Sequence, residues 1–222
     1  MDPRADQVAA VAALAEPTRR RLYDHVVRQP GPVGRDEVAA ACGVPRATVA
    51  FHLDRLVGDG LLDVHFERRT GRSGPGAGRP AKLYRRAAEP VAVSLPERHY
   101  DLAGDLLAGA VTDAEGSGER PAAALGRRAH ARGLELAAAD GARGGEAVLR
   151  VLEAHGYEPR AGADGVTLVN CPFHRLARQH TELVCGMNLR LVEGVLDGAG
   201  ADRLEARLRP LDGVCCVHLV PV

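Results

Sequence analysis

VPRATVAFHLDRLVGDGLLDV, residues 44–64, contains a helix start, a helix stop and the beginning of a strand. Pro45 is suited to open a helix and Gly60 to end one. Between them Val49, Leu53 and Leu56 fall at i, i+4 and i+7, so one face is apolar and turned to a core. The opposite side is then expected to present Arg46, Thr48, His52 and Arg55. Immediately before this stretch, RDEVAAACGV (35–44) reads as a short helix stopped by Gly43. Two short helices joined by a tight glycine-containing turn are a helix-turn-helix pattern.

Working outward, DQVAAVAALAEPTRRRLYDHVV (6–27) has helical spacing broken at Glu16-Pro17, with Pro17 placed to open a second helix. On the other side LLDVHFERR (61–69) and AKLYRRA (81–87) read as strands flanking the loop TGRSGPGAGRP (70–80). That is a two-stranded wing carrying Arg68, Arg69, Arg72, Arg79 and Lys82. A cationic loop beside a helix with a polar outer face suits duplex DNA: the helix enters the major groove while the basic residues neutralise phosphates. The plainer alternative is a small interaction domain with solvated charges, which does not account for turn, helix and wing occurring in that order.

Composition is compatible with this. Hydrophobic residues are 45% of the 222, enough to bury a core. No apolar run approaches the ~20 residues of a membrane span, and MDPRADQVAA lacks an apolar signal core, so a cytoplasmic protein without membrane contact is expected. Net charge is zero, yet residues 1–90 carry 15 basic against 11 acidic side chains and the remainder 14 against 18. A basic first part and an acidic second part follow.

LAEPTRRRLYDHV, VPRATVAFHLDRLVGDGLLDV and GRPAKLYRR resemble the winged helix-turn-helix of ArsR-type bacterial transcription regulators, over roughly residues 8–88. The resemblance implies a homodimer reading a double-stranded DNA operator. The Cys-Val-Cys metal site of some members is missing; Cys42, at an apolar helix end, reads as simply buried.

After a linker, residues 97–113 and 120–140 read as helices, with Leu102, Leu106 and Val111 on the first and Leu125, Leu134 and Leu136 on the second. They are expected to pair across a two-fold axis or to pack within the chain. Beyond residue 143 the order helix, two strands, helix, two strands describes a small α+β domain. The whole is therefore expected to be α+β: a winged helix-turn-helix over 1–90, a helical linker and dimerisation segment over 91–142, and a C-terminal sensor domain over 143–222.

That last segment holds NCPFHRLARQHTELVCGMN (170–188) and GVCCVHL (213–219). Cys171 is expected at a strand end, Cys185 on the following helix, and Cys215 and Cys216 on the last strand. Five cysteines in a reducing compartment argue against a disulfide framework. Three sulfurs converging from separate elements make a soft-donor site suited to an iron–sulfur cluster, zinc or Cu(I). Successive strand residues point to opposite faces, so Cys215 and Cys216 are not expected to share a centre. His174, in a Cys-x-x-His pair, could be the fourth donor, with His180 or Cys216 behind it. The bland reading is that these cysteines are small buried hydrophobes.

NCPF, LVC and DGVCCVHL behind such a head resemble, over 145–220, the iron–sulfur repressors that control the Suf cluster-assembly operon and their actinobacterial relatives. The resemblance implies a 4Fe–4S cluster on Cys171, Cys185 and Cys215; the donor set itself keeps zinc as the alternative metal. The chain departs from that family in its Cys-Cys-Val-His strand, its longer spacings and its extra histidines. A non-enzymatic repressor sensing cluster or redox status is the function implied. A nucleophilic cysteine enzyme lacks a further catalytic constellation in the sequence.

Overall fold

The interruption at Glu16-Pro17 is a helix boundary. α1 (Pro3–Ala13) ends before it and α2 (Pro17–Val27) begins at the proline, where the Glu16 carboxylate accepts hydrogen bonds from the Thr18 and Arg19 backbone N–H groups at 2.9 and 2.6 Å. The bond from Thr18, ahead of that from Arg19, holds the Glu16 carboxyl below its usual range. The computed structural model describes residues 3–67, 80–211 and 213–222, and the chain divides into two compact units, Met1–Val93 and Ser94–Val222.

In the first unit a two-residue strand, β1 (Val33–Gly34), leads into α3 (Arg35–Cys42). Gly43 adopts a left-handed φ of 62° that ends the helix, a conformation side chains with a Cβ resist. α4 (Arg46–Gly58) follows, then β2 (Leu62–Glu67) and β3 (Ala81–Arg86), forming an antiparallel sheet in the order β1-β3-β2 with Val64 opposite Tyr84. Val49, Leu53 and Leu56 are all fully buried, together with Leu22, Val38, Leu62 and Tyr84. Each such side chain contributes about 1.5–3 kcal/mol by leaving water.

The second unit starts with α5 (Tyr100–Ser117), α6 (Pro121–Asp140) and α7 (Gly144–Ala154). A hairpin of β4 (Pro159–Gly162) and β5 (Gly165–Leu168) precedes α8 (His174–Gln179), α9 (Thr181–Ala199), β6 (Leu204–Leu208) and β7 (Val217–Pro221). The sheet is antiparallel in the order β4-β5-β7-β6. The helices expected to form a separate linker segment share one core with this sheet: α6 lies along α9, and Leu125, Leu136, Leu191 and Val195 are buried together. Close approach comes from Gly133 and Gly194, which face each other across the two helices. α5 is tied to α6 by Asp113, which accepts bonds from Arg128 Nε and Nη2 at 2.7 Å each and from Arg127 at 3.0 Å. The Arg128 bonds chiefly hold the Asp113 carboxyl down at about 2. Of the residues proposed as apolar stripes, Leu106, Leu125 and Leu136 are buried, while Val111 and Leu134 are exposed. Among the described residues, no helix is long and apolar enough to cross a membrane.

Candidate nucleic-acid interface and cysteine cluster

Successive residues of α4 are separated by about 100° around its axis. With Val49, Leu53 and Leu56 facing the core, the outward line runs through Ala47, Phe51, Arg55 and Gly58, all exposed. Arg46 and Arg55 lie on the accessible surface as the sequence suggests, ion-paired with Asp36 and Asp59. Thr48 is half-buried at the helix flank. His52 is not on the outer face. Its side chain is only 12% exposed and sits against α2, with Nε2 3.7 Å from the Glu16 carboxylate and Nδ1 accepting from Arg19 Nε at 3.4 Å. One step past Phe51 turns it back toward the neighbouring helix, so its role is to brace α4 rather than to reach outward.

Lys82, on β3, points back to α4. Its ammonium pairs with Asp54 and lies 5.3 Å from the centre of the Tyr84 ring, while the Tyr84 hydroxyl donates to the same carboxylate at 2.8 Å. This triad fixes the wing strand against the helix. Arg68, Arg69, Arg72 and Arg79 lie outside the described residues.

Two features were missed from sequence. Phe51 is 66% exposed at the middle of the outer face, where the helical wheel alone places it. Arg20 and Arg21 on α2 and Arg28 at its C-terminal cap are exposed and make no ion pair among the described residues; they line a groove of about 530 Å³ with His25, Ala41 and Cys42. Cys42 forms part of that wall, half-buried, and its thiol is pushed up by burial.

In the second unit the cysteines come together, though not as their sequence positions suggest. Cys171 lies beyond the end of β5, in the turn before α8, and Cys215 and Cys216 lie before the start of β7. Because neither belongs to a strand, the alternation that set Cys216 aside does not apply. The thiols interact in the order Cys171, Cys215, Cys216, Cys185. Cys171, Cys185 and Cys215 are buried and Cys216 half-buried. His174 and His180, at the two ends of α8, are exposed, and the polar side chain set on the row is Asn188.

Protons are shared unevenly along the row. Interaction with Cys215 lowers the Cys171 thiol and brings that of Cys216 to about 6. Cys215 is driven up by its interaction with Cys171 and then Cys216, and burial pushes Cys185 up to about 12. Asn188, 1% exposed on α9, donates from Nδ2 to Cys215 Sγ at 3.2 Å and accepts from the buried Tyr157 hydroxyl. On the far side Asn170 donates to the carbonyls of Glu97 and Gly156, and Arg98 donates to Asn170 Oδ1 and to the Cys171 carbonyl, the latter at 3.3 Å. Among the described residues, no three His, Cys, Asp or Glu side chains are grouped as a preformed metal site. The sulfurs form a row, which binding would have to gather around one centre. Their donor chemistry is wholly soft, which fits thiolate-ligated iron–sulfur or zinc.

The helix-turn-helix, its outward face and the β2–β3 wing strands define the class of the first unit: a winged helix-turn-helix domain. A helix-turn-helix domain family matches residues 14–65, from the end of the first helical run into β2. No curated protein matches the chain. Among solved structures, it is similar to the solution structure of a homodimeric winged helix-turn-helix DNA-binding domain (fragment 1–100) from Mycobacterium bovis, described as a possible ArsR-family regulator. Identity is 24%, covering 54% of this chain and 94% of that one, with a TM-score of 0.29.

Proposed function

We propose that the protein is a homodimeric, ArsR-like repressor whose C-terminal unit holds a thiolate-ligated 4Fe–4S cluster and adjusts operator binding to cluster status. The observation that carries the sensing part is the meeting of four thiols from three separate chain segments beside a buried amide and a guanidinium. Cys171, Cys185 and Cys215 are the ligands of choice; Cys216, inside the row, takes the fourth place ahead of exposed His174. Such a cluster, when bound, supplies a redox-sensitive and oxidant-labile charge centre. Asn188 holds Cys215, and the Arg98–Asn170 pair holds the backbone at Cys171, so ligand loss at either end is transmitted to α9 and to the turn before α8. A coupling of only ~1–3 kcal/mol changes operator affinity about tenfold or more. The all-sulfur donor set also suits zinc, and metal analysis separates the two readings.

Protein purified without oxygen is expected to be brown, with iron and acid-labile sulfide in equal amounts. Cys171→Ser, Cys185→Ser and Cys215→Ser are each expected to lose the colour and to change operator affinity at least about tenfold. A colourless chain containing stoichiometric zinc establishes the zinc reading. A metal-free chain whose DNA affinity is unaltered by all three substitutions removes the sensing role and leaves the DNA reader.

DNA binding itself has a separate signature. Arg20, Arg21 and Arg28 are exposed cations of α2 and its cap that make no ion pair among the described residues; with Asp24 they line the groove beside the end of α3, and they suit backbone phosphates. Replacing all three with alanine is expected to weaken every duplex by a similar factor. The slope of log K against log salt should fall by about 0.9 for each phosphate no longer neutralised. An unchanged slope, measured by fluorescence anisotropy across a salt series, places these arginines away from DNA.

A further inference from the structure

We infer that Phe51 is the residue by which α4 selects its operator, through contact with a pyrimidine 5-methyl group in the major groove. This rests on the DNA-reading function proposed above and adds what is read.

Three observations place the ring there. The inward direction of α4 is set by Val49, Leu53 and Leu56, all fully buried, and Phe51 lies nearly opposite to it at about 100° per residue. The side chain is 66% exposed, so it does not pack into its own unit. The ring is nonetheless held: it meets the His52 imidazole edge-on, centroids 5.3 Å apart and planes at 66°, and His52 is itself anchored by Glu16 and Arg19. A fixed, exposed phenyl at the centre of a groove-entering helix is a reading element.

Its neighbours leave it room. Ala47 one turn before and Gly58 two turns after are small, and Asp54, the one carboxylate beside it on this face, is drawn toward β3 by Lys82 and the Tyr84 hydroxyl. Arg55, one turn after the ring on the same exposed line, is held by Asp59 and keeps to the edge of this face.

The chemistry of the ring determines the partner. Phenyl has neither donor nor acceptor, so opposite a guanine, adenine or bare cytosine edge it leaves polar atoms without partners. The apolar group a standard base pair presents in the major groove is the thymine methyl. The same methyl is carried by 5-methylcytosine, so the recognised group is methyl on pyrimidine C5, from either source.

The test uses the full-length protein and duplexes enriched by it from a random pool. In the enriched site, replacing thymine by deoxyuracil removes only the methyl. At one position in one half-site this is expected to weaken binding about fourfold, the factor for one methyl group withdrawn from apolar contact. Phe51→Ala is expected to bind the two duplexes equally, with an unchanged salt slope because phosphate contacts persist. Phe51→Leu, still apolar, should retain part of the preference. Replacing the thymine pair by a cytosine pair and by a 5-methylcytosine pair separates the sources: recovery on methylation shows that the methyl is read whatever the base. Thymine-over-deoxyuracil preference surviving in Phe51→Ala, or no position showing it in the native protein, overturns the assignment of Phe51 while leaving the DNA reader intact. Failure to enrich any duplex overturns both.

Discussion

Gly133→Ala is expected to lower the unfolding midpoint of the C-terminal unit by about 10 °C or more. A Cβ at this position falls 2.2 Å from the Leu191 carbonyl oxygen and 2.7 Å from the Val195 nitrogen. Both are backbone atoms of α9, so no side chain can swing aside. α6 and α9 must separate, and the interdigitated Leu125, Leu136, Leu191 and Val195 are pulled apart along both helices. Overpacking typically costs ~1–3 kcal/mol; the backbone obstruction puts this case at about 3 or above. For a unit of this size ~3 kcal/mol corresponds to about 10 °C. Gly194→Ala meets the His130 carbonyl oxygen at 2.1 Å and should behave alike. Gly186→Ala, also on α9 but with nothing within 4 Å, is the control. It should raise stability by roughly 0.5–1 kcal/mol, the ordinary helical gain of alanine over glycine. Differential scanning calorimetry reads all three, and a Gly133→Ala midpoint equal to the native one contradicts the close α6–α9 packing.

Asn188→Leu is expected to destabilise the same unit by about 2–4 kcal/mol, the sum of an orphaned hydroxyl and a misfitting side chain. The amide is buried on α9 and engaged at both ends, to Cys215 Sγ and from the Tyr157 hydroxyl. Leucine has similar bulk but leaves the Tyr157 hydroxyl without an acceptor in a dry interior, at ~1–3 kcal/mol, with branched-chain misfit added. Tyr157→Phe removes the donor instead and should cost less, about 1–2 kcal/mol. In the Tyr157→Phe background the Asn188→Leu substitution should cost at least ~1 kcal/mol less than alone, because the orphaned hydroxyl is already gone. Denaturant titration of the four chains measures this; strict additivity dissolves the network.

The N-terminal reader could be drawn residue by residue beforehand because its signals are local. Pro17, Gly43, Pro45 and Gly60 start and stop helices through their own backbone restrictions, and the i, i+4, i+7 spacing of Val49, Leu53 and Leu56 reports burial on one helix. His52 went astray for the same reason: its spacing places it at the rim of the core, and whether a rim residue turns in or out depends on Glu16 and Arg19, which belong to another part of the chain. Phe51 drew no expectation at all, although its position on the wheel points outward.

In the C-terminal unit composition identified the soft donors and spacing identified three places they come from. Cys216 was set aside by a rule for strands that holds only where there is a strand, and β7 starts one residue later. Gly133 and Gly194 looked like two more small residues in a chain with 26 glycines. Their importance exists only when α9 lies against α6.

Residue order alone settled where α2, α3 and α4 start and stop and the chemistry of the sulfur donors, since each depends on backbone preference and side-chain type within a few positions. Which thiols touch, which arginines make no ion pair among the described residues, which way His52 turns and how near two helices come were settled by the folded chain. Those are relations between groups far apart along the backbone, and their energies arise only after long-range packing has brought the groups within a few ångströms.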